Sequence, residues 1–319
     1  MKYDEWLDEW LELYVKPVKK RSTYLRYESA LRLHVRPCLG QRELTRLDGR
    51  VLQKSVIRML ECGHLYSGGG LAEGTILQIV RIVRESLAQA ERVGLLCRGC
   101  GDEICRPRCA DAIPKVKCFT VREQKTIERL VLQQDDRRLY GVILTLYLGL
   151  RIGELLALTW ADVDFRRGLL TVNKTCHDSW GGGYRKLIET PKTQSSYRTI
   201  PIPRQILPYL RALRKDCDSL YVIHNAAGKE ISVRSYQRSF ERLLERARIR
   251  HLGFHALRHT FATRAIENNV DVKTLSEVMG HRSPAVTLAI YAHSLAPHKR
   301  VMMNRLGKLL SDSGIREEE

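Results

Sequence analysis

The chain has 319 residues, and its 54 Lys and Arg residues outnumber its 36 Asp and Glu residues, giving a formal charge of +18. This length predicts two domains, and a hydrophobic fraction of 44% is enough for packed cores, which excludes extensive disorder. The charge favours nucleic acid over an anionic membrane surface as partner, because the basic residues are spread over several helical patterns and not gathered in one amphipathic segment.

The longest apolar stretch, around residues 142–150, is far shorter than the roughly 20 residues that a membrane-spanning helix needs. The first residues of the chain have no signal-peptide core. We therefore expect a cytoplasmic protein, in which the nine cysteines are mostly reduced thiols or metal ligands.

The first part of the chain predicts an all-helical domain over residues 1–96. Apolar residues recur at helical spacing over 6–14, over 23–37 with a stop at Pro37, and over about 48–60. After a glycine-rich loop, a longer helix is predicted around 76–94.

Residues 97–118 are predicted to be a linker, because helical periodicity fails there and two prolines interrupt any helix. Four cysteines fall within thirteen positions of this linker: Cys97, Cys100, Cys105 and Cys109. Four thiolates could complete a tetrahedral zinc shell that stiffens the linker. Their spacing differs from the standard pair of two-residue gaps, so free thiols are the alternative.

The second domain, residues 119–319, is predicted to be mainly helical with a small antiparallel sheet. β-branched residues bounded by glycine and proline predict strands at 169–172 and 198–202. Helices are predicted at 121–134, 137–149, 203–215, 233–247, 255–268, 272–279, 284–292 and 299–310.

Two segments of this domain carry side chains suited to an anion. Arg151 follows an apolar helix, where it could bind an anion or pair with Glu154 or Asp162. On a helix, His255 and Arg258 share a face and could converge on one phosphate. The alternative for this second pair is a solvated face with a structural histidine.

Two further segments complete the set of candidates. Lys192 precedes the strand at 198–202 and is expected on a hairpin, where it is either solvated or able to reach into a groove. Gly280 predicts a helix end with His281 just beyond it. Tyr291 lies ten residues after His281, and taken alone it is typical of a core tyrosine.

Together, the order and types of these residues resemble the tyrosine recombinases, the phage and transposon integrase family, over nearly the whole chain. The matching motifs are Arg151 in its Gly-Leu-Arg-Ile-Gly-Glu setting, the hairpin Lys192, His255-x-x-Arg258, Met279-Gly280-His281 and Tyr291. One departure is Met279, where leucine is usual, and this change conserves volume.

The N-terminal residues 1–40 resemble the core-binding domain of the same family more diffusely. Since this pattern starts almost at Met1, the sequence shows no arm-binding domain before it, so that either the protein is of the simpler kind or such a domain was removed. The resemblance implies that the core-binding and catalytic domains form a C-shaped clamp on double-stranded DNA.

The resemblance also implies the chemistry of a site-specific DNA recombinase that performs integrase- or excisionase-type strand exchange. Tyr291 is then the nucleophile, and it forms a 3′-phosphotyrosyl link that releases a 5′-hydroxyl. Arg151 and Arg258 would bind the non-bridging phosphate oxygens.

Proton transfers and the remaining phosphate contact are assigned by the same resemblance. Lys192 would protonate the leaving 5′ oxygen, and His255 would assist proton transfer at the tyrosine. His281 would hydrogen-bond the phosphate. No nucleotide or metal cofactor is implied for this step.

Exchange between two duplexes needs two cuts in each, which implies a homotetramer on DNA. The resemblance also implies DNA-bending accessory proteins as further partners and a bacterial, phage or mobile-element origin. An apolar C-terminal stripe could dock on a neighbouring subunit or pack on its own domain: Val301, Met302, Leu306, Leu309 and Leu310.

Two alternatives remain open at this stage. A type IB topoisomerase uses a similar residue set, and the compact N-terminal domain weighs against it. A DNA-binding regulator without cutting activity needs no nucleophile, so the complete set of candidate residues weighs against that class.

Overall fold

The computed structural model of the chain describes residues 1–63, 68–96, 117–134, 136–179, 185–190, 197–215, 217–291, 303–304 and 306–307. Of Ser179, Arg185 and Tyr291 only the backbone is described. The chain divides into two compact units, Met1–Ile113 and Pro114–Glu319, and each has its own hydrophobic core. This division falls inside the segment predicted as the linker, whose boundaries stay a prediction.

The N-terminal unit is built from helices. Its helices are α1 (Tyr3–Trp10), continued by π-type turns over Leu11–Val15; α2 (Arg21–Ala30), continued by π-type turns over Leu31–Gly40; α3 (Gly49–Cys62); and α4 (Glu73–Arg92). The predicted stop at Pro37 was wrong, because the helical path continues to Gly40. Proline has no amide hydrogen, and π-type turns already depart from the bonding pattern that proline disrupts.

The core of this unit forms where α1 packs against α4. Tyr3 and Trp6, three residues apart on α1, are both wholly buried. The Tyr3 hydroxyl lies 2.7 Å from Ser86 Oγ, and Trp6 Nε1 donates to the Ser86 carbonyl at 3.1 Å. The polar atoms of these two large side chains are thus satisfied inside the core.

The C-terminal unit is mainly helical, as predicted. Its helices are α5 (Val121–Gln133), α6 (Tyr140–Leu148), α7 (Ile152–Ala157), α8 (Leu207–Arg214), α9 (Val233–Arg246), α10 (His255–Glu267), α11 (Val272–Met279) and α12 (Pro284–Tyr291). In the part of the chain that the structure describes, no helix has the length and apolar character needed to cross a bilayer.

The strands of this unit are β1 (Val163–Asp164), β2 (Leu169–Val172), β3 (Thr175–Ser179), β4 (Arg185–Glu189) and β5 (Arg198–Pro201). An antiparallel sheet has the order β1-β2-β5, and β3 pairs with β4 in a second antiparallel pair. The predicted strands β2 and β5 are confirmed. In the register of the first sheet, Arg198 lies opposite Val172.

Helix α6 lies at the centre of this unit. It is apolar on all sides and almost completely buried, and α10 packs against it. Gly149 ends α6 in a left-handed conformation, and α7 then begins at Ile152. This sequence of elements places the turn that carries Arg151 beside α10, which carries His255 and Arg258.

Candidate active site

Arg151 occupies the turn between α6 and α7. Its backbone N–H donates to Glu154 Oε2 at 2.9 Å, and its Nη1 donates to Glu154 Oε1 at 2.7 Å. Its Nη2 donates to the Gly280 carbonyl at 3.0 Å. Glu154 thus holds the Arg151 guanidinium in place. The Arg151 side chain is 35% exposed, so part of the guanidinium can still face solvent. Asp162, the other predicted partner, pairs with Lys174 instead.

Arg258 is buried behind this turn. Its side chain projects from α10, with only 1% of the residue exposed. Nη1 donates to the Gly149 carbonyl and Nη2 to the Met279 carbonyl, each at 2.6 Å. The arginine therefore joins the end of α6 to the end of α11. The Arg258 guanidinium is therefore shielded from solvent.

His255 lies one helical turn before Arg258 on α10. Partial desolvation of its ring, followed by the positive charges of Arg258 and Arg151, lowers its pKa. The ring of His259 meets it edge to face, with 4.6 Å between centroids. Burial, with the charges of His255 and Arg258, lowers the pKa of His259 to about 4. Both rings are therefore mainly neutral at neutral pH.

The end of α11 presents His281. Gly280 has a φ of 65°, and the His281 amide donates to the Ser276 carbonyl at 3.0 Å, so the helix closes with the left-handed turn that glycine permits. His281 Nδ1 lies 2.7 Å from Oγ1 of the wholly buried Thr287 on α12. The backbone turn and Thr287 together fix the position and the plane of the His281 ring.

Burial, with the positive charges of Arg258 and Arg151, lowers the pKa of His281 to about 4. The neutral ring carries one N–H. If the Thr287 hydroxyl donates to Nδ1, the proton of the ring lies on Nε2, which can then donate to an anion. The site can therefore offer a neutral imidazole donor beside two guanidinium groups.

The structure brings together four of the six predicted catalytic residues: Arg151, His255, Arg258 and His281. The hydrogen bonds of Arg151 and Arg258 converge on the ends of α6 and α11, and the charges of both arginines act on both histidines. Lys192 lies outside the described residues. The backbone of Tyr291 is the last residue of α12, the helix that carries Thr287, and its side chain is not described.

Three polar residues that contact this site, Arg198, Thr287 and His259, were not predicted from the sequence. Arg198 on β5 forms two hydrogen bonds with Glu154 and one with the Val278 carbonyl, while Thr287 and His259 contact the two histidines. An arginine at an inward position of a short strand was the available signal for Arg198. A signal for Thr287 was its position one helical turn before Tyr291.

The predicted zinc ligands Cys97, Cys100, Cys105 and Cys109 lie outside the described residues. Within the described ranges, no three His, Cys, Asp or Glu side chains are grouped as a metal site. Of the C-terminal stripe, Leu306 is described and is 46% exposed.

Comparison with known families gives two matches. Residues 122–298 match the profile described as the phage integrase family, and residues 2–60 match the phage integrase N-terminal SAM-like domain. The first match contains Arg151, Lys192, His255, Arg258, His281 and Tyr291.

Curated relatives have related names. A tyrosine recombinase XerC-like protein of Caldanaerobacter subterraneus subsp. tengcongensis is 29% identical over 94% of this chain and 81% of its own length. Tyrosine recombinase XerA of Pyrococcus furiosus is 33% identical, over 62% of this chain and 65% of its own. The transposase from transposon Tn916 of Enterococcus faecalis is 30% identical, over 62% of this chain and 53% of its own. The chain thus spans between half and two thirds of the latter two relatives.

Solved structures share the fold. The Tn1549 transposon integrase in complex with a circular intermediate DNA has a TM-score of 0.80 at 23% identity, covering 96% of this chain and 99% of that one. A lambda integrase dimer bound to a core site has a TM-score of 0.69 at 17% identity, covering 90% and 97%. A lambda integrase tetramer bound to a Holliday junction has a TM-score of 0.68 at 16% identity, covering 90% and 77%.

Proposed function

The chain belongs to the phage integrase family and is a tyrosine-type site-specific DNA recombinase, and we propose that it cuts and rejoins DNA through a covalent bond between Tyr291 and a backbone phosphate. The observation that supports this most strongly is the convergence of Arg151, Arg258 and His281 at one helix end, three residue types suited to a phosphate.

In the proposed reaction, the Tyr291 oxygen attacks the phosphorus and the bond from phosphorus to the 5′ oxygen breaks. Charge then rises on the non-bridging oxygens, where preorganised donors stabilise the transition state by several kcal/mol. Arg151 is the partly exposed donor, held by Glu154, and Arg258 supplies a buried positive charge.

The proton movements follow from the states of the side chains. A neutral tyrosine must lose its proton as it attacks, because its ordinary pKa is near 10. His255, neutral through partial desolvation, is suited to assist that transfer. Lys192 gives a proton to the leaving 5′ oxygen, and neutral His281 donates to the phosphate.

The product conserves the energy of the phosphodiester bond in a 3′-phosphotyrosyl link. A free 5′-hydroxyl of a partner strand can attack this link, which releases the tyrosine and rejoins the DNA. Each step exchanges one phosphate ester for another. We propose that no nucleotide or metal cofactor takes part in the chemical step.

We further propose the assembly and the setting. Double-stranded DNA is the partner, four copies act on two duplexes, and DNA-bending proteins assist. The protein acts in the cytoplasm of a bacterium, on DNA of a phage or another mobile element. A structural zinc ion held by the cysteines of residues 97–118 would stiffen the linker.

The experiment uses a target duplex nicked near the scissile phosphate, so that the short released strand diffuses away and the adduct is trapped. The wild type should give a covalent protein–DNA band under denaturing conditions. Tyr291→Phe should bind the same duplex and give no band. Tyr209→Phe, which removes the hydroxyl of a 38% exposed tyrosine in the same unit, is the matched control and should react as the wild type does.

An adduct that persists in Tyr291→Phe, or is lost equally in Tyr209→Phe, would contradict the assignment of the nucleophile. Relaxation of a supercoiled plasmid that lacks a target site would indicate a topoisomerase instead.

A further inference from the structure

A buried ion cluster lies beneath the active site. The side chains of Arg198 and Glu154 are 6% and 5% exposed. Arg198 Nη1 donates to Glu154 Oε1 at 3.1 Å, and Arg198 Nη2 donates to Glu154 Oε2 at 2.9 Å. This two-pronged geometry fixes the plane of the carboxylate.

Glu154 is ionised in this setting. Burial alone would raise the pKa of its carboxyl, but the hydrogen bonds and charge of Arg198, together with the charge of Arg151, outweigh burial and lower the pKa to about 2. The same two oxygens accept the bonds of Arg151 described above. One carboxylate therefore lies between the buried Arg198 and the partly exposed Arg151.

Arg198 also reaches the helix end that carries His281. Its Nε donates to the Val278 carbonyl at 2.6 Å, while Arg258 and Arg151 bind the next two carbonyls, of Met279 and Gly280. Three successive carbonyls at the C-terminus of α11 thus accept hydrogen bonds from three different arginines. Such terminal carbonyls have no partner within the helix, and cations are favoured beside them.

We propose that Arg198 is a positioning residue for DNA cleavage. It does not contact the phosphate, and it acts through Glu154 on Arg151 and through the end of α11 on His281. This inference rests on the proposed function, because it assigns Arg198 to the same reaction. It assigns the buried arginine a role in the rate of cleavage and not in the affinity for DNA.

A purely structural role makes a different prediction. If Arg198 were purely structural, its removal would leave the buried Glu154 carboxylate without its buried partner and would lower stability, but the protein that stays folded would cleave at the wild-type rate. The same unit contains a comparison pair, in which Lys174 Nζ lies 2.7 Å from Asp162 Oδ2 and the Asp162 side chain is 5% exposed. Asp162 binds Thr159, Asn173 and Lys174, none of which is a candidate catalytic residue.

The test compares Arg198→Met, Arg198→Lys and the control Lys174→Met in the full chain. For each, we would measure the single-turnover rate of adduct formation on a nicked target duplex at saturating DNA, the Kd for the uncut duplex, and urea unfolding. A displacement of about 1 Å in a catalytic group can slow a reaction by about 100-fold. We therefore expect Arg198→Met to lose about 100-fold in rate, with the Kd unchanged within about threefold.

The two companion variants should separate positioning from stability. Arg198→Lys keeps the charge and hence the fold, but it cannot form the fork, and we expect a loss of about tenfold in rate. Lys174→Met should cut at the wild-type rate within about threefold, even where it loses stability. Because Arg198 is inferred to act through Arg151, the double variant Arg198→Met, Arg151→Lys should lose less in cleavage rate than the product of the two single losses.

Wild-type rates in folded Arg198→Met or, if that variant does not fold, in Arg198→Lys would overturn this inference. A loss in Kd as large as the loss in rate would also overturn it, as would multiplicative losses in the double variant. Absence of any adduct in the wild type would instead refute the proposed function, so the two failures are distinguishable.

Discussion

Replacing Gly280 with alanine tests whether the end of α11 positions the site. Gly280 has a φ of 65°, which is the left-handed region, and its carbonyl accepts the hydrogen bond from Arg151. A Cβ added there would lie 2.8 Å from Nη1 and 3.1 Å from Cδ of Arg198. The substitution therefore combines backbone strain with a collision against the buried arginine.

The expected cost has two parts. A left-handed conformation costs an L-residue about 1–2 kcal/mol. Overpacking a buried site adds about 1–3 kcal/mol, because the side chain of Arg198 is 6% exposed and cannot turn away without breaking its bonds to Glu154 and Val278. Gly168→Ala is the matched control, since Gly168 has a φ of 66° and its nearest neighbour, Leu207 Cδ1, is at an ordinary 3.6 Å.

Urea unfolding and single-turnover cleavage of a nicked duplex measure the two effects. Gly280→Ala should lose about 2–5 kcal/mol of unfolding free energy, the sum of strain and overpacking. Its rate should fall by about 100-fold. Gly168→Ala should lose about 1–2 kcal/mol and cut at the wild-type rate. Equal losses of stability in the two variants, with equal rates, would refute the reasoning that Gly280 and Arg198 form one packed unit.

Three further predictions concern the histidines and the cofactor. Thr287→Val removes the partner of His281 Nδ1 and should slow cleavage about tenfold, the equivalent of a hydrogen bond of about 1–1.5 kcal/mol; an equal loss of DNA affinity would contradict this. The free energy of unfolding should fall as the pH is lowered from about 6.5 to about 4. In this range the unfolded chain binds protons at His259 and His281, whereas the folded chain, in which both pKa values are about 4, does not. Thermal melts at constant ionic strength measure this dependence, and His281→Gln should make stability less dependent on pH. Adduct formation should continue in EDTA when Zn²⁺ is the one metal added back; its loss in EDTA with rescue by Mg²⁺ and not by Zn²⁺ would contradict the proposed cofactor-free step.

The sequence predicted much of the catalytic unit because local signals and tertiary structure agree there. The helix over 272–279 and its glycine end were predicted as observed, since an apolar pattern and a left-handed cap both depend on nearby residues. Strand β2 was predicted for the same reason, with β-branched residues beside a turn.

The missed features depend on contacts between residues distant in the chain. Strands β3 and β4 carry many polar residues and were not predicted, because most of their residues have low intrinsic strand propensity and the strands form through hydrogen-bonded pairing with each other. Arg198 and Glu154 are 44 positions apart, and only the folded chain shows that the carboxylate joins two arginines. The alternative that Arg151 pairs with Glu154 was available from the sequence, and the structure shows this pairing at a site that also presents Arg151 to solvent.

The most direct measurement of the central claim is the chemical identity of the covalent link. The trapped adduct should be digested with protease and nuclease and sequenced by mass spectrometry, with a label on the 5′ end of the cleaved strand in a parallel sample. We predict that the nucleotide remnant lies on Tyr291 and that the 5′ label stays with the protein, as a 3′-phosphotyrosyl link requires. A remnant on any other residue, or release of the 5′ label as free DNA while the protein holds the other fragment, would contradict the 3′-phosphotyrosyl assignment.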